Sequence, residues 1–107
     1  MIIVNIDYVP GYKIKNVVGI VEANTIQAKH LGKDILSGFK HIVGGHLGEY
    51  EEMMTESRAS AKQEVIEKAE ALGADAIINL RYSTSAIMQG AAEVLCYGTA
   101  VQLEKNE

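Results

Sequence analysis

The spacing of apolar and polar positions divides the chain into four predicted strands and two predicted helices. Strand-like apolar runs occupy four segments, namely 2–6, 14–23, 74–82 and 91–103. The segments 26–43 and 47–72 instead place apolar residues three and four positions apart, which is typical of one face of a helix. A polar and glycine-containing loop at 85–90 joins the last two strands into a hairpin. This β-β-α-α-β-β order predicts an α+β fold, a small, mainly antiparallel β-sheet with two helices on one face.

The predicted helix at 47–72 has the clearest pattern in the chain. Its stripe of apolar or small residues consists of Tyr50, Met54, Ser57, Ala61, Val65, Ala69 and Leu72. Gly44 and Gly45 precede this helix, and Gly73 follows it at a position where glycine often terminates a helix. Acidic residues gather in the first turns, where the helix dipole favours negative charge. Because Ser57 and Ala61 are small, we expect this face to lie close to another backbone.

Two further expectations come from alternation within the predicted strands. In the strand at 74–82, one face is predicted to carry Ala76, Ile78, Leu80 and Tyr82. The opposite face of that strand is predicted to carry Asp75, Ile77, Asn79 and Arg81. In the strand at 91–103, Val94, Cys96 and Ala100 are predicted to face away from Val101 and Leu103.

The strands at 14–23 and 91–103 are apolar on both faces. Two helices cover only one face of a small sheet, and no further predicted element covers the other. An exposed apolar surface of that size marks an interface in a small protein. We therefore expect a homo-oligomer in which sheets meet on the uncovered side.

Composition restricts the class of protein. A chain of 107 residues is expected to form a single domain spanning 1–107. The net charge of −4 gives no electrostatic footprint for nucleic acid. No apolar run approaches the ~20 residues of a membrane span, and the first residues lack the positive region of a signal peptide. The single cysteine, Cys96, suits a reducing compartment. The expected location is cytoplasmic, without nucleic-acid or membrane partners.

Four short motifs, in order, resemble a known family. They are Ile-Val-Gly-Gly at 42–45, Gly-Glu-Tyr at 48–50, Leu-Gly-Ala-Asp-Ala at 72–76 and Tyr-Gly-Thr-Ala-Val at 97–101. Their order and spacing resemble the YbjQ-type family of small bacterial and archaeal proteins, which carries the label "putative heavy-metal-binding". The resemblance covers about 17–103. It implies a small α+β subunit that assembles into a ring, a pentamer in this family.

Three positions depart from the pattern of that family. Lys33-Asp34 stands where members usually carry Arg-Asp, and His46 stands where arginine commonly follows the double glycine. Asn79 occupies a position that is often glycine. The resemblance therefore supports the fold but carries over no binding site.

The label directs attention to possible metal ligands. Soft metals prefer thiolates, usually in pairs, whereas Cys96 is single and lies in an apolar run that indicates a core residue. Copies of Cys96 would meet only if a ring brought them to its axis. The remaining candidates for a divalent metal are His41, His46 and Glu49. His46 and Glu49 are three positions apart near a helix start. Their spacing matches no strong motif, and exposed histidines at a helix junction are the simpler explanation.

No combination of residues forms a recognisable catalytic centre. The glycines at 44–48 resemble an anion-binding loop but lack the Lys-Ser/Thr of a P-loop, so a tight turn is the simpler interpretation. The favoured function is a non-catalytic, homo-oligomeric module that binds a metal ion or small ligand at subunit junctions. The alternative is an enzyme whose active site lies between subunits and is built from His41, His46, Glu49 or Tyr97.

Overall fold

A computed structural model describes residues 1–28, 47–88 and 90–107. These residues form four strands and one helix: β1 Ile2–Ile3, β2 Tyr12–Ala28, α1 Leu47–Ala71, β3 Ala76–Met88 and β4 Ala91–Lys105. The strands make one mixed sheet in the order β1-β3-β4-β2, in which only the short β1·β3 pair is parallel. The α+β class and the hairpin of the last two strands are confirmed. The described part of α1 is too polar to cross a membrane.

The predicted helix at 26–43 is wrong at its start. Residues 26–28 continue β2 and pair antiparallel with Ala91–Glu93 of β4, so cross-strand pairing overrides the helical spacing there. The rest of that predicted helix, residues 29–43, lies outside the described residues, as do residues 44–46. The predicted loop at 85–90 is also too long, because β3 continues to Met88.

Helix α1 packs on one face of the sheet, called the near face. Its buried side chains recur at every fourth position, at Met53, Ser57, Ala61, Val65 and Ala69. A step of four residues rotates about 40° beyond a full turn, so the stripe winds along the helix and matches a twisted sheet. The buried Ser57 hydroxyl donates to the Met53 carbonyl at 2.8 Å, which satisfies it. The predicted stripe is confirmed from Ser57 to Ala69, but Leu72 is exposed and Met53 is buried more fully than Met54.

A β-bulge at Asn79 breaks the alternation of β3. Asn79 has a φ of 53°, and the pairing with β4 jumps from Ile78–Thr99 to Arg81–Tyr97. Ile77 and Leu80 consequently both join the core beneath α1. The predicted face that combined Ile78 with Leu80 is therefore wrong, because the extra residue exchanges the two faces beyond it.

The first six residues line the outer edge of β3. The Val4 amide donates to the Ile77 carbonyl at 3.0 Å, and the Leu80 amide donates to the Val4 carbonyl at 3.1 Å. The Asn79 amide donates to the Ile6 carbonyl at 2.9 Å, so the bulge is hydrogen-bonded by this segment. The outer edge of β3 is thus occupied as far as Leu80.

Gly98 of β4 lies against the bulge. A Cβ atom on Gly98 would lie 2.7 Å from Ile77 Cγ2 and 3.1 Å from the Ile78 carbonyl oxygen. The second of these atoms belongs to the backbone, which cannot move aside as a flexible side chain can. The two strands therefore approach closely only because residue 98 is glycine.

We expect Gly98→Ala to lower the free energy of unfolding by about 1–3 kcal/mol, the usual cost of overpacking a core. The matched control is Gly48→Ala, because nothing lies within 4 Å of a Cβ built at Gly48 in α1. Alanine favours helix, so the control is expected to keep or raise stability. Urea denaturation at one fixed protein concentration measures both variants. Equal midpoints for the two would contradict the close approach at Gly98.

The positive φ of Asn79 predicts a second pair of variants. Asn79→Gly is expected to unfold at the same temperature or higher, because glycine adopts this conformation without strain. Asn79→Val is expected to lose about 1–2 kcal/mol, since a left-handed conformation is costly for a β-branched residue. Thermal unfolding followed by circular dichroism tests the order. A valine variant as stable as the glycine variant would show that the bulge is not required.

Candidate functional site

The sheet face opposite α1, called the far face, exposes an apolar surface. Val101 and Leu103 of β4 belong to a small cluster on this face with Val9, and Val17 and Ile14 of β2 pair with them. The far-face patch is defined here as the four exposed side chains of Ile14, Val17, Ile20 and Tyr97, whose exposed fractions are 38%, 66%, 76% and 38%. Both faces of β2 are apolar, as predicted, but the described residues of one chain cover only its near face along Val17 and Ile20.

The N-terminal segment covers only part of the far face. Val4 and Val9 pack on Ala76, Ile78 and Val101. This cover lies over β3 and β4 and leaves Val17 and Ile20 of β2 exposed. The far face of β2 therefore has no cover among the described residues.

The dimensions of the described residues agree with an incompletely covered sheet. Their radius of gyration is 17.6 Å and their principal extents are 59 × 21 × 16 Å. A compact chain of this length has a radius of gyration of about 13 Å. The described part of the chain is thus long and thin, with much surface for its mass.

The first turns of α1 border an open, acidic groove. Its lining residues are Gly48, Glu51, Glu52, Thr55 and Glu56. All five residues are exposed. The carboxylates of Glu51, Glu52 and Glu56 are therefore solvated, and they lie at the helix start, where the helix dipole favours negative charge. Within residues 1–28, 47–88 and 90–107, no three His, Cys, Asp or Glu side chains are placed to hold a metal ion.

The predicted metal ligands cannot be placed by this geometry. His41 and His46 lie outside the described residues, and Glu49 lies in α1 with a side chain that is likewise outside the description. The hypothesis of a site formed by these three residues therefore stays a prediction. Tyr97, the further candidate in the enzyme alternative, belongs to the far-face patch.

Cys96 lies fully buried on the near face, beneath α1. Burial raises the pKa of its thiol, an effect that Lys62 partly opposes. The pKa of Tyr82, which pairs with Cys96 across the sheet, is raised by burial and then by Cys96. A buried, neutral thiol is a poor metal ligand and a poor nucleophile. The interpretation of Cys96 as a core residue is confirmed, and copies of it cannot meet at a ring axis while α1 covers them.

The geometry defines a small α+β protein with one covered and one open sheet face. Residues 1–104 match the YbjQ family described as "Putative heavy-metal-binding", so this chain belongs to that family. The resemblance seen in the four sequence motifs is thereby confirmed. The residues described above do not supply the donor set that this description implies, because the only thiol is enclosed in the core.

The relatives share nearly the full length of the chain. A UPF0145 protein of Thermosipho melanesiensis is 57% identical over 96% of this chain and 95% of its own. One from Thermotoga petrophila is 54% identical over 98% and 99%, and one from Thermus thermophilus is 48% identical over 97% and 91%. A crystal structure from Pediococcus pentosaceus, of a protein with unknown function in the DUF74 family, has a TM-score of 0.64 at 25% identity. It covers 97% of this chain and 98% of its own. None of these descriptions names a reaction.

One feature of the site was not predicted from the sequence. The sequence pattern predicts a strand only as far as residue 82 and a loop at 85–90, whereas residues 82–88 form a strand and are all exposed. The available signal was its composition, Tyr-Ser-Thr-Ser-Ala-Ile-Met, which contains neither charge nor proline.

Proposed function

We propose that this protein is a non-catalytic, homo-oligomeric module whose copies assemble through the far-face patch and bind a metal ion or small ligand at their junctions. The observation that supports this proposal is the exposure of Val17 and Ile20, at 66% and 76%, on a sheet face that α1 does not cover. Contiguous apolar surface of this kind marks interaction sites in soluble proteins.

The Val17 end of the patch needs a cover other than the chain's own residues 29–46, and a second copy supplies one. Helix α1 runs antiparallel to β2, because Leu72, just after the helix, lies near Gly19 and Lys68 Nζ donates to the Glu22 carbonyl. The start of α1 therefore lies toward Ala28, so residues 29–46 leave from and return to the same end of the sheet. Because the eighteen residues 29–46 must leave Ala28 and return to Leu47, the segment can extend at most about 30 Å from Ala28. Val17 lies eleven residues from Ala28 along β2, or about 36 Å. Val17 therefore lies beyond the reach of the segment, whereas Ile20, eight residues or about 26 Å from Ala28, lies within it.

The number of copies is proposed from the family resemblance and the compartment from the single cysteine. Members of the family to which this chain belongs are expected to form rings, and we propose five copies by that resemblance alone. A cytoplasmic location is proposed because a single cysteine, Cys96, suits a reducing compartment.

The proposed ligand site uses nitrogen and oxygen donors. Cys96 is unsuitable because it is buried with a raised pKa. The proposed donors are His41, His46 and Glu49, which surround the start of α1 in the sequence. Histidine nitrogen and carboxylate oxygen suit zinc or nickel better than they suit a soft heavy metal.

Assembly predicts a native mass that is a multiple of the 11.6 kDa chain. The double variant Val17→Asp with Ile20→Asp is expected to reduce the mass to one chain, because carboxylates in a desolvated apolar interface are costly. Both side chains are exposed, so the fold of the single chain should persist. Sedimentation at micromolar concentration measures the mass.

The matched control for that variant is Tyr8→Asp. Tyr8 is a similarly exposed apolar residue, at 55%, outside the far-face patch. This variant is expected to keep the wild-type mass. A wild-type mass of 11.6 kDa at micromolar concentration would overturn the proposal of self-assembly.

Metal binding is tested separately by equilibrium dialysis against zinc and nickel, followed by elemental analysis. We expect stoichiometric metal in the wild type and a loss of at least tenfold in affinity in His46→Ala, which removes one proposed donor. Cys96→Ala is the control and is expected to retain the metal, because Cys96 lies beneath α1. Loss of metal in Cys96→Ala alone, or no binding by the wild type, would contradict the proposed site.

A further inference from the structure

The sheet has two outer edges that are open over the same part of its length. The distal halves of the edge strands are defined here as residues 20–28 of β2 and residues 82–88 of β3. Both pair with β4 on their inner side, at the same level, since Ala23 and Tyr82 each pair with Cys96. Neither distal half has a partner on its outer side among the described residues. Open strand edges present rows of unpaired amides and carbonyls that can accept another strand.

The other halves of these two strands are closed to pairing. Residues 2–6 occupy the outer edge of β3 up to Leu80. On β2, register shifts between Ile14 and Asn16 and between Val17 and Gly19 interrupt the strand, and Lys13 and Lys15 add charge. Bulges and lysines are the usual devices that keep an edge strand from pairing. The distal half of β3 carries no lysine, and its one register shift lies at its far end, between Ala86 and Met88. Residues 20–28 of β2 carry one charge, Glu22.

The charges at the start of the two distal halves are complementary. Glu22 and Arg81 both pair with Tyr97, so they lie in one row on the far face, one at each edge of the three-stranded part of the sheet. The one ion pair of the described residues is Lys13–Glu104. Arg81 Nη1 donates to the Asn5 carbonyl at 2.7 Å, and neither Glu22 nor Arg81 has an ionic partner in the described part of the chain.

We infer that the distal half of β2 in one copy pairs with the distal half of β3 in the next copy, with Glu22 close to the next copy's Arg81. Strands β2 and β3 are both antiparallel to β4, so they run in the same direction. When neighbouring copies are related by a rotation about an axis parallel to the strands, corresponding strands of the two copies run in the same direction. Strand β2 of one copy and β3 of the next copy then form a parallel pair. The interface joins unlike surfaces, and its repetition forms a ring where the rotation between copies closes.

This inference deepens the proposed function, because it rests on self-assembly and states which surfaces join. It also explains how the far-face patch becomes buried. A sheet continued from copy to copy curves into a closed wall, and the far faces of all copies then line one side of it. The unprotected edges are used rather than left open to aggregation.

The test is a charge-reversal cycle on the full chain, with Glu22→Arg, Arg81→Glu and the double variant. Each single reversal places like charges opposite each other and is expected to raise the dissociation constant of the assembly roughly fivefold per interface. The double variant restores the attraction in the opposite sense and is expected to return to within about twofold of the wild type. Such recovery measures direct coupling between the two positions.

The matched controls change the net charge by the same amount away from the edges. Glu64→Arg on the exposed side of α1 and Lys105→Glu at the end of β4 are expected to leave the dissociation constant unchanged. Circular dichroism checks that each variant keeps its fold, since Arg81→Glu also removes the bond to Asn5.

Each other arrangement gives a different result. Weakening by Arg81→Glu alone, without recovery in the double variant, indicates β3 pairing with its own copy and overturns the inference. Weakening by Glu22→Arg alone indicates β2 self-pairing, with the same consequence. If neither reversal changes the mass while Val17→Asp with Ile20→Asp still dissociates the assembly, residues 29–46 or nothing occupies these edges and only the edge inference fails. A monomeric wild type contradicts the proposed function itself.

Discussion

A sheet that is apolar on both faces cannot be buried by a single helix. In this protein α1 supplies one cover, through a stripe of side chains that ends in the fully buried Ala61, Val65 and Ala69. These side chains are small or medium in size, so helix and sheet lie close together. The N-terminal segment covers a corner of the opposite face through Val4 and Val9. The remaining apolar surface of β2 is the constraint from which the proposed assembly follows.

The bulge at Asn79 and the glycine opposite it decide which residues fill the near-face core. The extra residue in β3 brings Ile77 and Leu80 to the same face, and the approach of the strands leaves no room for a Cβ at Gly98. Asparagine tolerates the positive φ of this position because its short polar side chain can hydrogen-bond locally. Two residues that looked like details of a motif therefore control the register of the sheet.

The description of the family and the structure of this chain agree on fold and differ on chemistry. A heavy-metal site is expected to use thiolates, yet Cys96 is enclosed under α1 with a raised pKa. Among the described residues, the open surfaces are an apolar face, two strand edges and an acidic helix start. These surfaces suit association between copies better than they suit coordination of a metal within one chain.

The sequence by itself determined the helix at 47–72, the last hairpin, the α+β class and the core position of Cys96. Each depends on local periodicity or on one apolar run, which a single chain displays directly. It did not determine the bulge at Asn79, the strand at 26–28 or the open edge at 82–88. Those features depend on pairing with β4, a contact between residues far apart in the chain. Alternation predicts which residues share a face only while the register is unbroken, and only the tertiary structure shows where Gly98 allows it to break.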